Sequence, residues 1–309
     1  MTLDISRLLT RAFSLAWHHR WLWVLGVLGG TGVGYNLASA VPRGNFNGGV
    51  RGTQMGSFIA DHVALLVGLA IAFAVIVLVA FIISCVAIPA SIWAGLELDA
   101  GREVRMRTAW HEGRARFGRY LRLALLKLAI GLLVLAAAAV FVATGAAIYR
   151  AGGDVTTAPL VLGGLVLLLG LVAVSTIINL GLTWSDRLLV ILELGAVDSL
   201  RAGWWLFKHS KLDTVVFGIA FWVARAVVGL VIAVLAGIAA LPGIFLVVGA
   251  FQSSQASLWL LIAGLTWILI LGGGIELAGA GFLGALAQVG YAIAARDLCF
   301  SRGLQATPA

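Results

Sequence analysis

Charge is scarce in this sequence. Asp, Glu, Lys and Arg make up 11% of the 309 residues, against about 25% in a soluble globular domain. Residues 63–88, 128–149, 155–185, 226–275 and 277–295 contain no charge at all. A soluble core has no use for five such runs, four of which exceed the ~20 apolar residues that cross a bilayer. The chain is therefore expected to be all-α, a polytopic membrane helical bundle. Cysteine is also rare: only Cys85 and Cys299 occur, with no CxxC and no Cys/His ligand spacing. No metal site is expected. Because both cysteines fall near helix ends assigned to the cytoplasmic side, no structural disulfide is expected either. Histidine is missing from every uncharged run, since His18, His19, His62, His111 and His209 all lie outside them. Axial ligation of a buried haem is thereby disfavoured, and no cofactor is expected. The motifs HExxH, GxSxG and Gly-x-Gly-Asp are absent. The outer loops leave no room for an extramembrane catalytic domain, so the chain is not expected to be an enzyme.

What the sequence does hold is six apolar spans, near 21–41, 63–89, 121–149, 159–184, 214–241 and 258–294. The last is too long for one straight crossing, and Gly272-Gly273-Gly274 is expected to kink or divide it. Pro89 and Pro242 are expected to mark bends or ends. Arg102, Arg105, Arg107, Arg114, Arg116, Arg119 and Arg122 crowd one connecting segment, and Arg187, Arg201, Lys208 and Lys211 another. Arg7, Arg11 and Arg20 lie near the N-terminus, whereas 150–158 holds only Arg150 and 250–257 holds no charge. Positive residues stay on the cytoplasmic side, so both termini and the two basic loops are expected to face the cytoplasm of a bacterial inner membrane. The loop 42–60, with Arg43 and Arg51, then faces outside.

The basic segments resemble one another. Residues 11–20 read RAFSLAWHHR, 107–116 read RTAWHEGRAR and 201–210 read RAGWWLFKHS. Each opens with Arg and a small residue, carries aromatics next, and precedes a span running outward. Ile5, Leu8, Leu9, Ala12, Phe13, Ala16 and Trp17 keep helical spacing on one face, with Arg7, Thr10, Arg11 and Ser14 opposite. Met106, Ala109, Trp110, Gly113 and Phe117 repeat the pattern. The inward spans also end alike, in AGLELDAG, VILELGAV and AIAARDLC. Three tandem units follow, about 1–100, 101–196 and 197–300, each an interfacial amphipathic helix and a transmembrane hairpin within a single membrane domain.

That repeat bears on the stretch HHRWLWVLGVLGGTGVGYNLASAV at 18–41. Its basic start and the Ala38-Ser39-Ala40 triplet look like a signal peptide. As the first copy of a unit used twice more, it is instead expected to be retained. Gly29, Gly30, Gly32 and Gly34 lack the Lys-Ser/Thr ending of a phosphate loop. Together with Gly272, Gly273 and Gly274 they are read as helix-packing positions or as breaks lining a cavity.

Arg225 and Glu276 are the only charges deep within the apolar runs. They are candidates for an intramembrane charge pair, structural or on an ion pathway. Lys127 is expected to snorkel, and Asp61 and His62 to cap the outer end of the second span. Arg11, Trp17, Arg20, Arg107, Trp110, Arg114, Arg201, Trp204 and Lys208 combine aromatic and basic character at headgroup level. They are candidate contacts for anionic lipid of the cytoplasmic leaflet. With the basic residues accounted for in this way, the net charge of +8 needs no nucleic-acid partner.

The segments RAFSLAWHHRWLWVLGVLGG, LELDAGREVRMRTAWHEGRARFGRYL and LELGAVDSLRAGWWLFKHSK resemble a broad group of uncharacterised bacterial polytopic membrane proteins. That group is related to the membrane domain found fused to some glycerophosphodiester phosphodiesterases. The likeness covers most of the chain. Those enzymes keep their catalytic residues in a soluble barrel that this sequence lacks, so the resemblance implies a membrane-embedded scaffold and carries over no catalytic residue. The expected function is thus a non-enzymatic multi-pass inner-membrane protein: a scaffold or accessory subunit, with other membrane subunits as partners, or a lipid-interacting protein. The alternative is a small transporter or channel using Arg225 and Glu276.

Overall fold

The computed structural model describes residues 4–29, 52–151, 157–252 and 258–301. Among these every regular element is helical: α1 (Ile5–His18), α2 (Trp21–Leu28), α3 (Gly52–Asp99), α4 (Met106–Ala115), α5 (Phe117–Ala151), α6 (Thr157–Ile191), α7 (Ala196–His209), α8 (Lys211–Gln252), α9 (Leu258–Trp267), a π-helical turn (Ile268–Gly272) and α10 (Gly273–Ser301). Four helical runs are long and apolar enough to cross a membrane: Val63–Asp99, Phe117–Ala137, Lys211–Phe251 and Leu258–Ser301. The protein is a helical membrane protein. Gly30, Gly32, Gly34 and the Ala38-Ser39-Ala40 triplet lie outside the described residues, as does the end of the first expected span. The expected span at 159–184 falls within α6.

Some helices are longer than the sequence pattern indicates. α3 has 48 residues, and α8 has 42, about 72 and 63 Å of rise. Neither Pro89 nor Pro242 ends its helix; both sit inside. A proline removes one backbone donor, and inside a membrane protein neighbouring groups can satisfy what it frees. Near Pro242 the Trp267 indole donates to the Ala239 carbonyl at 3.0 Å. α3 also runs on past Asp61 and His62 to Gly52. The glycine triplet does not split the last run: the π-helical turn ends at Gly272 and α10 follows at once. At its inner end α3 closes on Gly101, whose φ of 78° only glycine adopts freely. The Gly101 amide donates to the Leu98 carbonyl and the Arg102 amide to Glu97, both at 3.0 Å, the pairing of a Schellman motif.

The helices form two compact units. One comprises Ala115–Gly218 and the chain from Tyr291 onward; the other comprises Ile5–Arg114 and Ile219–Gly290. In the first, Trp184, Leu188, Leu189, Leu206 and Phe217 are buried, and Tyr291 meets Trp184 and Phe217 edge-on at 5.8 and 5.2 Å. In the second, Leu22, Leu25, Ile92, Ala285 and Val289 are buried. By contrast α3 from Val63 to Val79, α5 beyond Leu125 and α8 up to Phe251 expose Leu, Val, Ile and Phe side chains. Surface of that kind needs an apolar solvent such as lipid.

The short helices α1, α4 and α7 bury small residues against the long ones. α1 buries Leu8, Ala12 and Ala16, which share one face of the expected helix. α4 buries Ala109 and Gly113, and α7 buries Ser199, Gly203, Leu206 and Phe207. A β-carbon placed on Gly113 would lie 2.5 Å from the Val86 carbonyl of α3, and one on Gly203 would lie 2.8 Å from the Ser185 amide of α6. Ala12 packs at Gly290 of α10, while Phe13 and Trp17 meet Phe282 edge-on at 5.3 and 5.9 Å. Close backbone approach through small residues is how membrane helices pack.

Candidate functional site

Two sets of residues carry the chemistry the sequence offers, one on the amphipathic helices and one between α8 and α10. Once the small residues of α1, α4 and α7 are buried, helical periodicity turns their polar sides outward. Arg11, Trp17, Arg20, Arg107, Arg114, Arg201, Trp204 and Lys208 are all exposed, and Trp110 is half-buried. Trp17 remains 52% exposed, although it stacks on Phe13 at 6.1 Å. Lys208 places its ammonium 6.0 Å from the Trp204 ring, and Trp205 stacks on His209 at 4.1 Å. On α7 a cation thus stands beside an aromatic ring, the pairing that suits an anionic headgroup layer.

Of these basic residues Arg11 has a structural role as well. Its Nε lies 2.8 Å from Oδ1 of Asp99, whose side chain is fully buried, and it also donates to the Asp99 carbonyl at 3.3 Å. Arg201 lies 3.9 Å from exposed Asp198 on its own helix, a geometry worth little in water. Outside the candidate set, Arg116 and Arg119 hold the chain just after α6: Arg116 pairs with the Glu193 carboxylate at 3.1 Å, and Arg119 donates to the Glu193 carbonyl.

Lys127 does not snorkel. Its ammonium reaches Oδ1 of Asp186 on α6 at 2.6 Å, with the two side chains 20% and 12% exposed. Oδ2 of Asp186 accepts from buried Arg187 at 3.3 Å, and the Arg187 guanidinium lies 5.3 Å from the centre of the Tyr291 ring. One carboxylate therefore serves two cations in a largely desolvated cluster, which the sequence reading missed. Lys127 on α5 and Asp186 on α6 are 59 residues apart in the chain.

Arg225 and Glu276 line a single surface cleft of about 360 Å³ between α8 and α10. Its other walls include Trp222, Ala226, Gly229, Ala233, Gly279 and Ala280. Gly290 meets the Phe221 ring and Gly279 meets Ile232. This antiparallel register sets Arg225 opposite Leu286 and Glu276 opposite Leu235. The two charges therefore stand at opposite ends of the cleft, ~15 Å apart along the helix axes. Glu276 is exposed and forms no ion pair among the described residues. An apolar hollow of about 280 Å³ on α8 is lined by Ala224, Val228 and Leu286 with Leu9, Thr10 and Phe13 of α1, so Arg225 is level with that amphipathic helix.

The glycine candidates divide. Gly272 is buried, and a β-carbon there would touch that of Ala240 at 3.4 Å, whereas Gly273 and Gly274 face open space. Gly29 follows the last turn of α2, donating to the Leu25 carbonyl at 2.8 Å, and lies beside Ile88. Closer backbone approaches are elsewhere, at Gly26 against Gly281 and at Gly243 against Gly264. Among the described residues no three His, Cys, Asp or Glu side chains converge as for a metal ion, and both cysteines are buried thiols. No family model, curated protein or solved structure matches the chain.

Proposed function

We propose that this is a non-enzymatic, multi-pass protein of the bacterial inner membrane that holds anionic phospholipid at its cytoplasmic face and acts there as a scaffold or accessory subunit. The carrying observation is the outward, exposed placement of the basic and aromatic residues of α1, α4 and α7. Six spans, cytoplasmic termini and three tandem units belong to the same reading. It is supported by α4 lying on α3 and α7 on α6, each on the inward helix that precedes it, with α1 lying on α10. The likeness to the phosphodiesterase-fused membrane domain supports a scaffold by analogy alone.

Purified protein reconstituted in mixed vesicles provides the test, by native mass spectrometry of the lipids it retains. The wild type is expected to retain phosphatidylglycerol over phosphatidylcholine. Replacing Arg107, Arg114, Arg201 and Lys208 together by Gln is expected to lower that preference by about tenfold or more, since each surface cation contributes about 1 kcal/mol near an anionic leaflet. All four are exposed, so thermal stability is expected to change little. Equal retention of the two lipids by the wild type would contradict the proposal.

A second reading, a small transporter or channel, draws support from the cleft that both Arg225 and Glu276 line. It requires ion or solute flux through reconstituted vesicles that Glu276→Gln abolishes. A folded protein showing no flux defect on that substitution counts against it.

A further inference from the structure

We infer that the cleft between α8 and α10 docks a single transmembrane helix of another protein, one that carries a basic residue near its centre. The inference rests on the scaffold reading and names the class of partner. Glu276 is the one charged residue between Arg225 and Arg296, on a helical run long and apolar enough to cross a membrane. The uncharged residues on either side of it, 226–275 and 277–295, put its carboxylate within the hydrocarbon layer.

A carboxylate at that depth is costly unless it faces water, a cation or a donor, and Glu276 forms no ion pair among the described residues. The walls between the charged ends are Ala226, Gly229, Ala233, Gly279 and Ala280. Small side chains of this kind let another helix backbone approach closely. The π-helical turn that ends at Gly272, just before Glu276, is an irregularity frequent at functional positions. A phospholipid would place an acyl chain against the carboxylate and leave it unsatisfied. A second copy related by an axis along the membrane normal would bring Glu276 to the level of its own equivalent, like charge against like. A foreign helix with Lys, Arg or His opposite Glu276 satisfies the site.

The test uses the full chain in phosphatidylcholine vesicles and two labelled Leu/Ala peptides of about 24 residues, long enough to span, with Lys or Leu at the centre. Binding is read by energy transfer. The Lys peptide is expected to bind the wild type about tenfold more tightly than the Leu peptide, and Glu276→Gln is expected to remove that difference. Ala233→Trp, which fills the cleft wall, is expected to weaken both peptides. A Lys peptide that binds no better than the Leu peptide overturns the inference. So does a preference that survives Glu276→Gln, displacement of the peptide by phosphatidylglycerol, or competition by excess unlabelled protein. Lipid retention is measured on the same samples: if it persists while the peptide preference is absent, only the docking inference falls, and if both are absent the scaffold reading falls too.

Discussion

Gly281→Leu is expected to destabilise the protein by about 3 kcal/mol or more, read as a lowered unfolding midpoint in detergent. A β-carbon on Gly281 already lies 2.6 Å from the Trp23 carbonyl oxygen and 2.9 Å from Val27. Across the same contact, a β-carbon on Gly26 would meet the Gly281 carbonyl and lie 2.6 Å from the Ala285 amide nitrogen. The obstacles are backbone atoms of two helices and cannot move aside as a side chain tip can. Separating α2 from α10 would also strip cover from buried Leu22 and Leu25. Gly237→Ala serves as the control: nothing lies within 4 Å of a β-carbon there, and alanine stiffens the unfolded chain, so stability is expected to hold or rise slightly. An unchanged midpoint in Gly281→Leu would mean that α2 does not dock on α10 in this way.

Asp186→Ala is expected to cost more than Lys127→Met, although the two residues form one ion pair. Removing one partner of a desolvated pair costs about 3–5 kcal/mol because the other charge is left behind. Here the carboxylate lies between two cations, Lys127 at 2.6 Å and Arg187 at 3.3 Å. Without Asp186 both cations lose this carboxylate and repel each other. Without Lys127 the carboxylate keeps Arg187. Lys127→Met is therefore expected to be the milder lesion, and Lys127→Met with Asp186→Leu to recover part of the loss of Asp186→Leu alone, since one cation rather than two is then left without the carboxylate. Unfolding midpoints of these variants order the lesions. Equal losses for the two single substitutions would mean that Arg187 does not share the carboxylate.

The parts of the structure that the sequence made legible are those governed by local periodicity. The buried face of α1, at Leu8, Ala12 and Ala16, follows from residues spaced by four, and the outward Arg and Trp residues from the same wheel. Ala109 and Gly113 of α4 follow likewise. Pro89 and Pro242 do not end their helices, because proline ends a helix only where its lost bond and its ring go uncompensated. Away from those faces, glycine drew notice only where it clustered: Gly273 and Gly274 face open space, while Gly26, Gly264 and Gly281 stand in close contact with backbone atoms. Their partners lie on helices distant in sequence, so no local pattern marks them. Lys127 with Asp186 was missed for the same reason, being a contact across 59 residues. Arg225 and Glu276 were found because isolated charges stand out in apolar runs, but their separation along the cleft depends on the register of α8 against α10, which only coordinates reveal.

The central claim, that the polar faces of α1, α4 and α7 rest together on the anionic cytoplasmic leaflet, is tested most directly by the depth of spin labels on those helices. Labels at Ser14→Cys, Arg114→Cys and Arg201→Cys, in a protein lacking Cys85 and Cys299, are measured in vesicles containing phosphatidylglycerol. All three are predicted to report the headgroup region of one and the same leaflet. A label found in bulk water, in the hydrocarbon centre or on the opposite leaflet would contradict the account.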